Sequence, residues 1–332
     1  ARTPEPAADN RRLMTLDHPV LSSLLPVVLL IAIGVIAGKA RLVRGEGVRD
    51  LSNLVFLVLT QALLFRTMSS VHIERLDFKS VALYYLVAGA LFIALLLIQG
   101  LSSRSAVLAL AAIFSNTLMI GVPLVSLAYG EAGLVQLFTL ISMHALVLLT
   151  FATVVLELLV AHEDARAGRA EPRHLLLTVG QAVKNAVIHP VPLPIIAGLL
   201  YAQTGWGLHP VIDRPLKLLG DAFGPVALVL VGVTLAQAAI GAQLRGAFVI
   251  SLIKTLLHPA LMGAAGWLAG LRGMPLAVMV VAASLPVGAN VFLFSQRYRK
   301  AEDLVTASVA VSTVLALLSV SLVMALLPKL PG

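Results

Sequence analysis

The chain has 332 residues, 59% of them hydrophobic and 12% charged, with a formal net charge of +8 and no cysteine. A soluble domain averages about 45–50% apolar and about 25% charged residues, so this composition excludes one and describes an all-α polytopic membrane protein with no segment left for a soluble domain. The absent cysteines exclude a disulfide, a Cys-ligated zinc or iron–sulfur centre and haem attachment, and the positive charge is assigned to cytoplasmic loops, with no nucleic acid as partner.

Residues 1–18, "ARTPEPAADNRRLMTLDH", are polar and proline-containing and read as a disordered extracytoplasmic tail, with Met14 a candidate start and no cleavable signal peptide expected. Runs of about twenty apolar residues, each able to cross about 30 Å of hydrocarbon, predict ten spans at 19–39, 50–68, 80–100, 105–129, 133–160, 187–204, 214–239, 246–270, 275–297 and 303–328. In the first, Gly34 and Gly38 form a GxxxG that predicts close helix contact without identifying a dimer seam. Glu157, near the end of the fifth, reads as a solvated boundary residue. Residues 161–186 form a cytoplasmic loop in which "HLLLTVGQAVKNAV" is placed along the membrane surface as an amphipathic helix. The sixth span is short and carries Pro190, Pro192 and Pro194.

The loops after spans 1, 3, 5, 7 and 9 hold most of the basic residues outside the spans, among them Lys39, Arg104, Arg166, Arg245 and Arg297. Positive loops stay in the cytoplasm, which puts both termini outside a cell inner (cytoplasmic) membrane. Shifting the starts of spans 1–5 by about 169 residues lands near the starts of spans 6–10, so residues 19–160 and 187–328 read as two five-helix repeats. Five is odd, so the second inserts upside down, a plan common among secondary transporters.

Spans 4 and 9 hold matching places in the two halves, and both are interrupted: the first by "SNTLMIGVP", the second by "SLPVGAN" with Pro286, Gly288 and Asn290. Proline removes a backbone donor and glycine resists unwinding little. Freed backbone groups cannot face lipid, so a matched pair of breaks points to a midplane binding site. On the orientation above, each second half-helix starts near the membrane centre with unpaired N–H groups and partial positive charge. Those two ends, with the amides of Asn116 and Asn290, suit a carboxylate.

"SNTLMIGVPLVSLAYG", "LGDAFGPVALVLVGVTLA" and "SLPVGANVFLFSQRY" resemble signatures of the auxin efflux carrier family, which includes plant auxin exporters and bacterial malonate-transporter-like proteins. The resemblance runs from about residue 20 onward and implies an NhaA-like fold in which spans 4 and 9 cross at their breaks. It further implies a scaffold of spans 1, 2, 6 and 7, often dimeric, and a moving transport domain of spans 3–5 and 8–10. Carried over by the resemblance, Asn116 matches an amide that contacts the substrate carboxylate and Pro123 the first crossover proline. The second crossover proline falls at Val291 and is missing, His144 stands where plant carriers have a substrate-facing glutamine, and Gln61 stands where many members have proline. Plant carriers also have an acidic residue in the third span, where "VALYYLVAGALFIALLLI" has none.

Ionisable residues inside a membrane are costly and call for a reason. Lys254 can attract an anion or switch charge during transport, or it can pair with Asp221 or snorkel to the inner surface. Asp221 is a candidate for coupling or for an ion pair, His144 for proton carriage, and His258, before Pro259, for packing at a kink. The reading is a secondary active transporter of a small organic carboxylate, malonate-like or auxin-like, working by alternating access without a cofactor. Asn116, Thr117, Pro123, His144, Gly288 and Asn290 are its candidate binding residues, Lys254, Asp221 and Gln61 its candidate coupling residues, and a proton or sodium ion its candidate coupling partner. A cation/proton antiporter of the same architecture and a non-transporting sensor stand as alternatives. An enzyme is not expected, because neither a metal-binding HExxH nor a GxxxxGK[ST] phosphate loop occurs.

Overall fold

The computed structural model describes residues 19–168, 177, 180, 184, 191–238 and 241–327, and among them every regular element is helical. The expected tail, the surface helix in the cytoplasmic loop and the first residues of the sixth predicted span lie outside the described residues. The helices, in chain order, are α1 (Pro19–Lys39), α2 (Gly45–Leu54), α3 (Thr60–Met68), α4 (Phe78–Gln99), α5 (Ser103–Ile113), α6 (Val122–His144), α7 (Thr150–Arg166), α8 (Pro192–Ala202), α9 (Pro210–Gln237), α10 (Leu244–Leu252), α11 (His258–Leu268), α12 (Gly273–Ser284), α13 (Asn290–Tyr298) and α14 (Glu302–Leu326). Wide π turns at Val55–Leu59, Ala145–Leu149 and Ile253–Leu257 join neighbouring helices into longer rods, and a fourth at Thr117–Gly121 opens α6.

Six of the resulting segments are long and apolar enough to cross a membrane: Gly45–Met68, Phe78–Gln99, Thr117–Arg166, Pro210–Gln237, Leu244–Leu268 and Glu302–Leu326. Leu24–Lys39, Ser103–Ile113, Pro192–Ala202 and Gly273–Ser284 are shorter apolar helices. The longest segment turns at Gly130, whose φ of 61° and ψ of −152° belong to a region open essentially to glycine alone. The protein is thus an all-helical, multi-pass membrane protein.

Two backbone seams organise one side of the molecule. A Cβ on Gly34 of α1 would lie 2.1 Å from the Val229 carbonyl oxygen of α9, and one on Gly232 would lie 2.1 Å from that of Ile31. Only glycine permits such an approach, so the GxxxG of α1 is a seam within the chain. A second close approach joins α8 to α3, where a Cβ on Gly198 would lie 2.7 Å from the Phe65 carbonyl oxygen.

Elsewhere α10 lies along α14, α11 on α12, and α4 against both α5 and α11. The ends of α5, α7 and α13 are tied by polar groups. Glu163 accepts from the Ser103 amide at 2.6 Å and the Ser103 hydroxyl at 2.8 Å, and lies 3.3 Å from Lys300 Nζ. Its carboxylate thereby meets the positive end of α5, where an acid is favoured. Glu157, read from sequence as a solvated boundary residue, accepts from the Tyr298 hydroxyl at 3.0 Å.

Because α1 and α9 touch through backbone, Gly232→Leu is expected to force them apart at a cost of about 3 kcal/mol. Thermal unfolding of the purified protein should show a markedly lower melting temperature. Gly89→Leu, where an added Cβ meets nothing within 4 Å, should melt like the parent; equal melting of both variants would refute the seam.

Candidate functional site

Two helices stop short of their expected length for local reasons. Leu285, after the end of α12, precedes Pro286 and adopts φ −63° and ψ 155°, the extended conformation that a following proline imposes. After α5, Phe114 is also extended, at φ −82° and ψ 111°, and Asn116 starts a new helix by accepting from the Met119 amide through Oδ1 at 3.3 Å. Pro123 has no N–H to return to the turn before it, and that turn, Thr117–Gly121, is a wide π turn.

The two unwound segments are antiparallel and bridge at Ser115 and Val287. The Asn116 amide donates to the Pro286 carbonyl at 2.9 Å, and the Gly288 amide donates to the Phe114 carbonyl at 2.9 Å. The Val287 amide donates to Ser312 Oγ of α14 at 3.0 Å. The Tyr84 hydroxyl lies 3.2 Å from Ser115 Oγ. Lys254, wholly buried, donates through Nζ to the carbonyls of Ala283 at 2.6 Å and Leu285 at 2.7 Å. Its ammonium therefore caps the end of α12, where carbonyls carry partial negative charge.

Beside the paired breaks is a cavity of about 80 Å³ lined by Asn116, Thr117, His144, Gly288 and Asn290 together with Phe56, Phe114 and Ile141. Five of the six binding residues expected from sequence thus meet in one place. Gly288 has no room for a side chain, since a Cβ there would lie 2.7 Å from the Phe114 ring and 3.1 Å from the Ser115 carbonyl oxygen. Gly121 is similarly confined, with a Cβ 2.7 Å from Leu285.

The sixth, Pro123, does not line that cavity. It stands two residues beyond the π turn, against Gly224, in the wall of a second cavity of about 440 Å³ that also includes Arg66, Glu131, Lys217 and Asp221. The coupling candidates divide likewise. Lys254 neither pairs with Asp221 nor snorkels; Asp221 takes Lys217 as its partner at 2.6 Å, one helical turn away and largely exposed. Gln61 turns back on its own helix and donates to the Phe56 carbonyl at 3.0 Å, completing the first π turn. Arg66 holds Asp213 at 2.7 Å. His258 is wholly buried, its ring 5.8 Å from that of Tyr84. Tyr84 itself escaped sequence reading, although "ALYYLV" sets two hydroxyls in an otherwise aliphatic run.

A family model described as "Membrane transport protein" matches residues 19–324. A "Putative malonate transporter" of Rhizobium meliloti (strain 1021) is 28% identical over 285 residues, covering 83% of this chain and 86% of that protein. "Auxin efflux carrier component 8" of Arabidopsis thaliana is 24% identical over 242 residues, 62% of this chain and 66% of the relative. "Auxin efflux carrier component 3a" of Oryza sativa subsp. japonica is 28% identical over 140 residues, 40% of this chain and 23% of the relative.

Replacing Lys254 by methionine leaves two buried carbonyls at the end of α12 without their donor. The expected loss is about 1–3 kcal/mol, read as a lower melting temperature, with Lys254→Arg recovering part of it. A methionine variant that melts at or above the parent temperature would show that the ammonium does not hold this helix end.

Proposed function

The chain belongs to the membrane transport protein family, that of the auxin efflux carriers and a family of carriers rather than enzymes, and from that premise we propose that it moves a small organic carboxylate across the cytoplasmic membrane by alternating access. The observation that carries the reading is the single cavity onto which both breaks and both asparagines open. The first amides of a helix have no intrahelical acceptor, and Ala289 and Asn290, at the start of α13, line the cavity. Asn116 has committed Oδ1 to the Met119 amide, so its NH2 group remains to donate to a carboxylate. Helix N-termini and amide donors together make an anion site. No carboxylate is among the described residues that line it, which argues against a cation exchanger of the same architecture.

The size of the cavity favours a short substrate. Drug-sized ligands occupy about 300–1,000 Å³, and about 80 Å³ suits a malonate-like dicarboxylate better than an indole acid. Each carboxylate of such a dianion can face one broken helix.

The architecture we propose is ten spans arranged as two inverted five-helix repeats with the fourth and ninth broken. Reciprocal packing supports it: α1 seats on α9 and α3 on α8, so the first span meets the seventh as the sixth meets the second. In this arrangement α1–α3, α8 and α9 are the scaffold, α4–α7 and α10–α14 move, and both termini lie outside.

Asn116→Asp tests the reading, because it keeps the oxygen that caps the helix and adds a negative charge where the anion should sit. Wild-type protein should be stabilised thermally by malonate and exchange labelled malonate in proteoliposomes. Asn116→Ala should bind about 10–100-fold more weakly, the loss of a hydrogen bond to a charged group. Asn116→Asp should neither bind nor exchange, at normal folded yield. Stabilisation by sodium and by no carboxylate would replace this reading with the antiporter.

A further inference from the structure

Two imidazoles sit beneath the breaks, His144 at 4% exposure and His258 at 0%. Neither ring nitrogen of His258 has a hydrogen-bond partner, and those of His144 make no well-formed hydrogen bond, with only the Ser115 backbone in reach. A buried polar atom without a partner costs about 1–3 kcal/mol, so these nitrogens call for something that binds them. Their addresses differ. His144 lines the cavity with Asn116 and Asn290, whereas His258 at the start of α11 lies behind it against Tyr84.

The charged and titratable groups around the pair come from few elements. α4 brings Tyr84 and Tyr85, with ring centres 5.9 and 6.3 Å from that of His144. The π turn before α11 brings Lys254, within electrostatic reach of both histidines, which also sense each other. The end of α5 brings Phe114 and Ser115, and the unwound segment after α12 brings Gly288 and Ala289; none of these titrates. No carboxylate acts on this group among the described residues. The one lysine among them, Lys254, gives its Nζ only to the carbonyls of Ala283 and Leu285.

A positive charge on His144 has no counter-ion while the cavity is empty, and burying an unpaired charge is strongly unfavourable. A carboxylate in the cavity supplies the missing negative charge. We propose that His144 takes up one proton as the carboxylate enters, so that the chain carries anion and proton together. The inference rests on the carboxylate reading above. On loading, a hydrated proton bonds to a lone pair of a His144 ring nitrogen, giving an imidazolium whose N–H donates to the substrate carboxylate. On release the anion departs, that N–H bond breaks with its electrons left on nitrogen, and the proton returns to water. One proton and one anion cross per cycle.

The test is a proton count. Malonate is added to purified protein in weakly buffered, mildly alkaline solution with a pH-indicator dye, while binding is measured in parallel. About one proton should be taken up per malonate bound, and the dissociation constant should rise toward tenfold per pH unit, as linkage requires for one coupled proton. His144→Gln keeps a polar group at the cavity; it should still bind malonate, take up no proton and bind with an affinity that is flat with pH. His258→Gln should keep the count at about one. Wild-type protein that binds malonate with no proton uptake overturns the inference and leaves the carboxylate reading standing. Uptake undiminished in His144→Gln, or lost only in His258→Gln, overturns it as well. Wild-type protein that binds no carboxylate overturns both. Should His144→Gln fail to fold, the wild-type count and pH slope decide whether a proton enters with the anion, and His144→Asn then tests the residue.

Discussion

Backbone that leaves a helix inside hydrocarbon has no water to turn to, and each unsatisfied N–H or C=O costs several kcal/mol. The fold depends on how that demand is met at two places at once. Neither break could exist alone, because each takes its partners from the other: the Asn116 amide needs the Pro286 carbonyl, and the Gly288 amide needs the Phe114 carbonyl. Glycine at 121 and 288 lets the segments approach, since a side chain at either position would strike Leu285 or Phe114. The remaining groups are taken up by Ser312 from α14 and Lys254 from the π turn before α11. Helices far apart in sequence are held together by the need to satisfy two short unwound segments.

The same arrangement separates the electrical poles of the broken helices. Unwinding exposes negative carbonyl ends on the first halves and positive amide ends on the second. The carbonyl end of α12 is covered by the Lys254 ammonium, which lies away from the cavity. The amide end of α13 is left on the cavity wall. On the proposed reading, covering one pole and leaving the other open biases the empty cavity toward anions before any lining side chain carries charge. A lysine in the cavity itself would hold an anion more tightly and release it more slowly, an unsuitable property in a carrier.

What the sequence disclosed and what it hid follow from the range of the interactions. The breaks were legible because proline, glycine and asparagine act on their own turn, and Pro286 stops α12 through the residue before it. So was the Gly34–Gly38 pair as a contact surface, although its partner around Gly232 was not. Lys254 could be read as structural but its partners could not be named, because they lie 29 and 31 residues away, across α11 and α12, at a spacing that no rule relates. The pairing of Asp221 was within reach, since Lys217 stands four residues before it on one helix face. Pro123 was placed in the site by the resemblance and stands one turn outside it, because the π turn intervenes between Asn116 and the proline. Tyr84 was overlooked because an aromatic residue in a membrane helix is unremarkable until its hydroxyl is found beside Ser115.

The packing also differs between contacts that must stay and contacts that can move. At the α1–α9 seam the backbones interlock, and a Cβ on Gly34 or Gly232 would come within 2.1 Å of a carbonyl oxygen; such a seam cannot slide without separating. Where α9 meets the helix after the first break, a Cβ on Gly224 would lie 3.5 Å from Pro123, an ordinary van der Waals distance, and the cavity of about 440 Å³ opens beside the contact. Proline and glycine present smooth surfaces there. On the proposed reading, the division between scaffold and moving domain falls at this loose contact. On that same reading the paired breaks travel with the moving side, since the hydrogen bonds named above between and around them are made within α4–α6, α10–α14 and their connecting turns. A site built from bonds internal to one body keeps its shape while that body shifts, which is what a carrier needs if it is to show the same site to both sides of a membrane.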